Sequence, residues 1–382
     1  MRTLLVLFAC AGTAPAASFD LTLPPKAGEK FKSCLVRVWL PDDAKTIRAV
    51  IVRQHGCGRN GIDHADDLQW QALARKHSAA LYGSHFVQDQ QCSDWFDPKH
   101  GSERAFLEAL RTVAEKGRHP ELASAPWAIW GHSGGSMWAC HMMNRHPARV
   151  VAVFARSQAL TEYVPEAYRV PVIFNYGEGE KTGRFESVHK NSVKALELGT
   201  AAKACWVIAV DPKSSHDCRN SRQLAIRFFD RCLAERLGND GLKPMEGVRG
   251  AFGWMPSRDV ADAWSEYTKT GDVRDTTPPP APTGVKAVAA AVGVTVTWAA
   301  AADLESGLRA FAIYRDGEKV GTVGSPKAGS NKAGDFQMWN YGDEPEPRAP
   351  AFSFDDPSGK LTSRYEVVAE NHAGLTSKRE GR

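Results

Sequence analysis

Positions 131–135 of the chain read Gly-His-Ser-Gly-Gly, which sets a serine among small residues. A short apolar strand is predicted over 127–130 and a helix over 137–144. A nucleophile on so sharp a strand-to-helix turn needs neighbours without bulk, and the first and last glycines of the pattern supply them. The turn would expose the hydroxyl and direct the helix N-terminus at a reacting carbonyl group. We therefore predict that Ser133 is a nucleophile for acyl transfer; a plain glycine-rich turn is the alternative.

A second loop that could take part in such a reaction follows the strand predicted over 48–54 and reads His-Gly-Cys-Gly at positions 55–58. Acyl transfer needs backbone N–H groups aimed at the oxygen on which negative charge develops. We expect one donor from the residue after the serine, Gly134, and the other from the amide of Cys57. Because both donors belong to the main chain, the side chain of His55 is expected to be structural.

The serine hydroxyl needs a base, and in this strand-to-helix arrangement the chain order is serine, acid, histidine. Positions 214–217 read Ser-Ser-His-Asp, between the last predicted strand of the alternating region and its last large helix. His216 is therefore the predicted base. The alternatives are His189, which lies in a helical pattern, and His132, which would point sideways from the serine.

The acid should follow the strand predicted over 170–176, where positions 177–180 read Gly-Glu-Gly-Glu. No aspartate is present, so a glutamate must serve. Glu180, three residues after the first glycine, is the predicted acid, and Glu178 is the alternative. The carboxylate would hold the imidazole tautomer and stabilise the imidazolium, while the other glutamate would be an exposed loop carboxylate.

Aromatic residues are the candidates for substrate contact. Trp95 lies in a loop after the third predicted strand, so we expect it to line the cleft; packing in the core is the alternative. The other large aromatic residues considered are Trp70, Phe96, Trp138 and Trp254.

The elements that would position these residues alternate between strands and helices from about 35 to 237. Such alternation predicts an α/β fold with a mostly parallel sheet and helices on both faces. Functional loops of such folds lie at the carboxyl ends of the strands, where all the loops above fall. Strands are predicted over 33–40, 48–54, 79–86, 127–130, 150–155, 170–176 and 205–210, and helices over 65–77, 103–116, 137–144 and 222–237.

The composition changes near Asp275, where a proline-rich run predicts an extended linker. Beyond it, alternating segments and turns such as Asp316-Gly317 predict a sandwich of antiparallel strands; the segments are 292–298, 310–315 and 365–369. The chain is therefore divided into a signal peptide (1–17), an α/β catalytic domain (18–274), a linker (275–282) and an all-β domain (283–382).

The first residues are typical of a secretion signal, with a positive charge at Arg2, an apolar run over 4–11 and Ala-Pro-Ala at 14–16. We predict a secreted or periplasmic protein; a buried first strand is the alternative reading of this segment. Cys10 raises a variant, a lipoprotein anchor, because the residues before it loosely match a cleavage box. No later stretch approaches the roughly 20 apolar residues of a membrane span.

Composition narrows the class further. The length of 382 residues suits two domains, and 43% hydrophobic with 24% charged residues is the mix of a globular protein. The formal net charge is +4, but lysines and arginines are scattered among acids. No basic block indicates a nucleic-acid surface, so we do not expect that partner.

Eight cysteines occur, and Cys10 lies in the predicted signal peptide. The odd number that remains leaves a free thiol or an intermolecular bridge, and an exported protein can keep disulfides. Spacing does not fix the pairing; we favour Cys57 with Cys92, because both lie in loops that follow strands. No CxxC pair and no Cys/His spacing of a zinc site occurs, so we expect neither a metal nor another cofactor.

With these motifs in place, residues from about 30 to 237 resemble the α/β-hydrolase superfamily. Within it, they are most similar to secreted bacterial esterases related to polyhydroxyalkanoate depolymerases and feruloyl esterases. The resemblance implies Ser133 as nucleophile, His216 as base, and Cys57 with Gly134 as oxyanion donors. The chain departs from the family at the acid, where aspartate is usual and only glutamates occur.

Residues from about 282 to 377 resemble a fibronectin type III domain, with Trp298 as its core tryptophan and Tyr365 as a strand tyrosine. An insertion around 329–357 is longer than usual for such a domain. Related exported depolymerases often carry such modules as spacers. The resemblance therefore implies a stabilising spacer, with contact to a polymer or surface as the alternative.

Together these features predict an extracytoplasmic serine hydrolase that cleaves carboxylic esters, either plant-wall acyl esters or a polyester. Its partner would then be a small-molecule or polymeric ester. One alternative is a serine peptidase of the same fold, which usually carries an extra propeller domain, for which we expect no room before the catalytic part of this chain. The other is a non-catalytic surface-binding or adhesion protein, which would not need glycines around a strained serine.

Overall fold

The computed structural model describes residues 17–88, 91–324 and 352–379. The predicted signal peptide, with Cys10, lies outside these ranges except for Ala17, and so does most of the insertion predicted over 329–357. Eight strands form the main sheet: β1 (Ala17–Leu23), β2 (Phe31–Leu40), β3 (Ala49–Gln54), β4 (Ala79–Gln88), β5 (Trp127–His132), β6 (Val150–Arg156), β7 (Val172–Gly177) and β8 (Trp206–Asp211).

The strand order of this sheet is β1-β2-β4-β3-β5-β6-β7-β8. The pairs β1–β2 and β2–β4 are antiparallel, and every pair from β4–β3 onward is parallel. The prediction of a mostly parallel sheet is therefore confirmed. This strand order, in which β1 and β2 form antiparallel pairs at one side of the sheet, fits the α/β-hydrolase fold. The carboxyl ends of the parallel strands meet at one edge, which we call the carboxyl edge; the opposite one is the amino edge.

Helices cover both faces of the sheet, and the alternation of side chains along the strands explains why. On β5, Trp127 and Ile129 enter one buried cluster, whereas Ala128 and Trp130 enter the other. Strands that are buried on both sides read as continuous apolar runs, as these do. The helices are α1 (Leu68–Lys76), α2 (Ser93–Phe96), α3 (Ser102–Lys116), α4 (Gly134–Arg145), α5 (Glu186–Ala201), α6 (Ser221–Arg236) and α7 (Arg258–Thr270).

Local sequence sets the bounds of these helices. Helix α1 begins after Asp67, whose carboxylate accepts hydrogen bonds from the amides of Gln69 (3.0 Å) and Trp70 (3.3 Å). Helix α7 ends at Thr270 and is followed by Gly271, which adopts a positive φ of 75° that suits glycine. The sequence analysis did not predict α7 or the hairpin before it, β9 (Val248–Gly250) and β10 (Gly253–Met255). The two strands of the hairpin carry almost no periodic signal, because each has only three residues.

The C-terminal unit contains two three-stranded antiparallel sheets, β11-β12-β15 and β14-β13-β16. Their strands are β11 (Thr283–Ala289), β12 (Val294–Ala299), β13 (Ala310–Arg315), β14 (Glu318–Gly324), β15 (Ser353–Asp356) and β16 (Tyr365–Glu370). The two sheets enclose a separate core that includes Trp298 and Phe311, so the unit is a β-sandwich. Leu68 and Ala72 of α1 pack against this core.

None of the helices in the described part of the chain has the length and apolar character needed to span a bilayer.

Candidate active site

Ser133 lies at the turn between β5 and α4, with φ 53° and ψ −116°. A positive φ is uncommon for a residue other than glycine and costs free energy that the surrounding structure must supply. The amide of Ser133 donates to the carbonyl of Arg156 on the next strand (2.8 Å), which fixes this backbone conformation. The serine hydroxyl is thereby held at the carboxyl edge of the sheet.

The glycines on either side of Ser133 are required by close contacts of the main chain. A Cβ atom on Gly131 would overlap the carbonyl oxygen of Gly135, and one on Gly135 would overlap the carbonyl oxygens of Gln54 and His55. Backbone atoms of a packed sheet cannot move aside for a methyl group, so only glycine fits at both positions.

The side chain of His216 lies between Ser133 and Glu180. Its Nδ1 donates to Glu180 Oε1 (2.6 Å), since a carboxylate can only accept. This fixes the tautomer, so Nε2 accepts the hydrogen bond from the Ser133 hydroxyl (2.9 Å). The structure thus brings together the three residues that sequence reasoning singled out as nucleophile, base and acid.

The two candidate glutamates have different surroundings. Glu180 is fully buried, and its Oε2 accepts hydrogen bonds from the Ser157 hydroxyl and the Gly177 amide, both at 2.8 Å. Glu178 is exposed and pairs with Lys181 (2.8 Å). Three donors therefore supply hydrogen bonds to the buried Glu180 side chain.

Two histidines that were alternatives for the base have other partners. His189 contacts the hydroxyl of Tyr176 through Nδ1 (2.9 Å). His132 is buried, and its Nε2 donates to the main-chain carbonyl of His216 (2.8 Å). Neither imidazole therefore takes the place of His216 beside the serine.

Sequence reasoning missed Phe185, which stacks on the imidazole of His216. The ring centroids are 3.9 Å apart and the planes differ by 2°. Phe185 lies five residues after Glu180 in the chain, and one aromatic residue in a loop gives no signal of such a contact. The stacking restricts rotation of the imidazole and supplies an apolar wall beside it.

Gly134 and Cys57, the expected oxyanion donors, lie against each other. Cys57 and Cys92 form a disulfide with Cα atoms 5.3 Å apart, which confirms the favoured pairing. A Cβ on Gly134 would lie 2.5 Å from the Cys57 sulfur and 2.7 Å from that of Cys92. Across the part of the chain that the structure describes, neither the Cys57 nor the Gly134 amide donates to a backbone carbonyl. The disulfide therefore holds the 55–58 loop next to the serine.

His55, the first residue of this loop, is fully buried and has a structural role. Its Nε2 accepts a hydrogen bond from the amide of Phe86 (3.0 Å). Burial lowers the pKa of His55 to about 3, so the imidazole is neutral at physiological pH.

The expected contact between Trp95 and substrate requires a correction. Trp95 is fully buried, stacked on Phe86 with ring centroids 5.5 Å apart and tilted against His55 at 4.7 Å. Its ring would also be 3.5 Å from a Cβ on Gly134. With 0% of its surface exposed and with Phe86 and His55 against its ring, Trp95 is part of the core and does not line a cleft. Nothing in its sequence context separates these two roles.

Within residues 17–88, 91–324 and 352–379, no group of three His, Cys, Asp or Glu side chains is placed to hold a metal ion.

Comparison with known proteins gives distant similarities only. No family model and no curated protein matches the chain. Among solved structures, it is similar to LpqC, a poly(3-hydroxybutyrate) depolymerase from Bordetella parapertussis, at 15% identity and a TM-score of 0.40 over 58% of this chain and 87% of that one. A ferulic acid esterase is 16% identical, with a TM-score of 0.42, over 53% of this chain and 92% of its own.

A cold-adapted esterase from an Arctic intertidal metagenomic library is 13% identical, with a TM-score of 0.41, over 59% of this chain and 95% of its own. Similarities of this size do not reveal an activity. The function of this chain therefore has to follow from its own residues.

Proposed function

We propose that this protein is a serine hydrolase that cleaves carboxylic esters, with Ser133 as nucleophile, His216 as base and Glu180 as acid. The observation that carries the proposal is the unbroken hydrogen-bonded series from the Ser133 hydroxyl through His216 to the buried Glu180 carboxylate. A purely structural role would not need a hydroxyl on strained backbone at the end of this series, whereas acyl transfer needs each of these features.

In the proposed reaction, Ser133 Oγ attacks the carbonyl carbon of the ester while His216 Nε2 takes the hydroxyl proton. The new Oγ–C bond forms as the carbonyl electrons move onto oxygen. Collapse of this intermediate breaks the bond to the alcohol, which leaves with the proton from Nε2. Water then attacks the acyl carbon as it loses a proton to Nε2. Collapse of this second intermediate breaks the Oγ–C bond and releases the carboxylic acid, and the proton on Nε2 returns to Ser133 Oγ.

Glu180 contributes by keeping Nδ1 protonated and by stabilising the imidazolium that forms after proton transfer. Its second oxygen is occupied by Ser157 and Gly177, so the carboxylate has a fixed orientation toward His216. Because the pair lies out of water, the attraction between the carboxylate and the imidazolium is weakly screened.

The amides of Cys57 and Gly134 are the proposed donors to the oxyanion. Two observations support this assignment: Gly134 opens helix α4, whose N-terminus favours negative charge, and the Cys57–Cys92 disulfide fixes the neighbouring loop. Donors held in place before the reaction need no reorganisation when charge develops.

We further propose that the protein acts outside the cytoplasm on plant-wall acyl esters or on a polyester. The Cys57–Cys92 disulfide supports this setting, because such bonds persist in oxidising compartments. The C-terminal β-sandwich is proposed to be a fibronectin type III-like spacer, and the contact of Leu68 and Ala72 with its core supports a structural attachment to the catalytic unit.

The proposal is tested by measuring hydrolysis of p-nitrophenyl acetate, p-nitrophenyl butyrate, methyl ferulate and poly(3-hydroxybutyrate) film. Wild type should hydrolyse at least one of these, and Ser133→Ala should lower kcat by about a millionfold. Ser187→Ala, at an exposed serine of α5, is the matched control and should match wild type. Folded wild type that cleaves none of the four, or full activity in Ser133→Ala, would overturn the proposal.

A further inference from the structure

Arg156, at the end of β6, is fully buried beneath the loop that carries His216. Its Nη2 donates to the Ser214 hydroxyl (2.8 Å), to the Ser215 carbonyl (3.0 Å) and to the Asp217 carbonyl. Its Nη1 donates to the side-chain oxygen of Asn175 (2.9 Å). One guanidinium therefore contacts residues on both sides of the proposed base.

His132, the last residue of β5 and the direct neighbour of Ser133, completes this arrangement. It is 1% exposed, and its Nε2 donates to the His216 carbonyl (2.8 Å). The carbonyls of Ser215, His216 and Asp217 are thus each bound by a side chain of β5 or β6. We call Arg156 and His132 together the loop anchor.

The chemistry of the loop anchor does not fit a role in packing alone. Burying a guanidinium has a large desolvation penalty, which a hydrophobic side chain of similar size would avoid. Every hydrogen bond that Arg156 makes within the described ranges goes to a neutral oxygen. A planar group with several fixed donors defines the positions of its acceptors more closely than a flexible ammonium does.

The guanidinium remains charged in this setting. Burial lowers the pKa of Arg156, but the ionisable groups of Tyr267, Cys218, Glu180 and Asp211 outweigh burial and hold that pKa above its ordinary value. The donors of the Arg156 guanidinium are therefore present throughout the pH range in which a histidine can act as a base.

We propose that Arg156, together with His132, is a positioning residue that fixes the backbone of 214–217, so that His216 Nε2 stays within hydrogen-bonding distance of the Ser133 hydroxyl. This inference rests on the proposed function, because it takes His216 as the base. A displacement of the imidazole by about 1 Å is enough to lower the rate of such a reaction by about a hundredfold.

The first test compares Arg156→Lys with Arg236→Lys. The lysine at 156 keeps the charge but loses the planar set of donors. Arg236, on α6, is the matched control, because it is also buried and donates to the carbonyls of Val150 (2.9 Å) and Val151 at the amino end of β6. It also donates to the carbonyl of Lys243 (3.1 Å). Both variants thus make the same chemical change at opposite ends of β6.

Arg156→Lys should lower kcat on p-nitrophenyl butyrate by about a hundredfold and leave KM within about twofold of wild type. The second-order rate of labelling by a fluorophosphonate should fall by the same factor, because labelling also uses the base. Arg236→Lys should keep kcat and the labelling rate within about twofold of wild type, even where its melting temperature is lower.

A second pair of variants keeps the inference testable if Arg156→Lys does not fold. His132→Phe removes the donor to the His216 carbonyl, and His132→Gln retains one. We expect kcat to fall by about tenfold in His132→Phe, the equivalent of one hydrogen bond, and to recover in part in His132→Gln.

The outcomes separate this inference from the proposed function. Normal kcat in folded Arg156→Lys, equal losses in Arg156→Lys and Arg236→Lys, or equal kcat in the two His132 variants would overturn the positioning role while the esterase proposal stands. Wild type that neither hydrolyses esters nor reacts with the fluorophosphonate would overturn the proposed function, and the positioning role with it.

Discussion

The two edges of the parallel sheet hold similar buried polar groups and use them differently. At the carboxyl edge, His216 connects the Glu180 carboxylate to a hydroxyl on strained backbone. At the amino edge, His77 has the same 7% exposure as His216, and its Nε2 donates to Asp230 Oδ1 at 2.7 Å, while Lys76 donates to Asp230 Oδ2 at 2.9 Å. Among the described residues, no hydroxyl or thiol is hydrogen-bonded to the His77 imidazole. A His–carboxylate pair therefore indicates catalysis only when the second nitrogen of the imidazole is hydrogen-bonded to a reactive atom.

A cleft in the surface is a weaker indication of an active site than the side chains that line it. A cleft of about 470 Å³ lies at the amino edge, lined by residues before β3 and β5 and after α6. Its carboxylate, Glu121, already accepts hydrogen bonds from the Ile47 amide (2.7 Å) and from His119 (2.9 Å). Those bonds tie loops together, so the cleft offers no group comparable with Ser133.

The largest expected difference between the edges comes from the two matched histidines. His216→Ala should lower kcat by about a millionfold, because it removes the proposed base. His77→Ala should leave kcat within about twofold of wild type and lower the free energy of unfolding by about 1 kcal/mol. Ester hydrolysis and denaturant unfolding of both variants measure the two effects. Similar losses of kcat in the two variants would contradict the different roles assigned to these histidines.

The next largest effect separates the buried and exposed glutamates of one loop. Glu180→Gln should lower kcat by about ten-thousandfold, since an amide neither fixes the imidazole tautomer nor stabilises the imidazolium. Glu178→Gln, which removes only a surface pair with Lys181, should have no measurable effect. Steady-state kinetics measures both effects. A larger loss of kcat in Glu178→Gln than in Glu180→Gln would identify Glu178 as the acid.

The disulfide at the carboxyl edge should affect both stability and rate. Replacing Cys57 and Cys92 together by alanine should lower the free energy of unfolding by about 3–4 kcal/mol, from the 35-residue separation. The rate should fall too, because the proposed oxyanion loop loses its attachment. Cys232→Ala, at a buried free thiol, is the control: it should lose some stability and keep its kcat. Unchanged kcat in the double variant would contradict the role of this loop.

The smallest effect concerns Asp230 on the amino side. Burial raises the pKa of Asp230, but hydrogen bonds from His77 and Lys76 outweigh it and hold that pKa below the usual value. A lowered folded-state pKa adds stability above the unfolded pKa of about 4 and loses it as the pH falls through the folded value.

Wild type should therefore exceed Asp230→Asn in free energy of unfolding by about 1 kcal/mol or less at neutral pH. The difference should shrink as the pH falls from about 4 through the lowered folded-state pKa of Asp230. Urea unfolding across this pH range measures it, with kcat expected to be unchanged. A difference that grows toward low pH would show that folding raises the pKa of Asp230 instead of lowering it.

Much of this arrangement could be predicted because it depends on local sequence. The apolar run before Ser133 and the glycines around it determine the turn, and the positions of His216 and Glu180 follow from the chain order of strand ends. These signals lie within a few residues of the groups that they place.

Other features depend on contacts between distant segments. Arg156 on β6 meets the 214–217 loop, and Phe185 meets His216, only after the sheet has assembled. The burial of Trp95 depends on Phe86 and on the disulfide-bonded loop above it, so its sequence context suggested a cleft where the structure has a core. No periodicity or short motif records such contacts.

The most direct test of the proposed serine chemistry is to locate a covalent adduct. We would treat wild type and His216→Ala with a fluorophosphonate and identify the modified residue by peptide mass spectrometry. We predict one adduct, on Ser133, that forms in wild type and is nearly absent from His216→Ala over the same time. An adduct on another residue, or equal labelling of Ser133 in both proteins, would contradict the assignment of Ser133, His216 and Glu180.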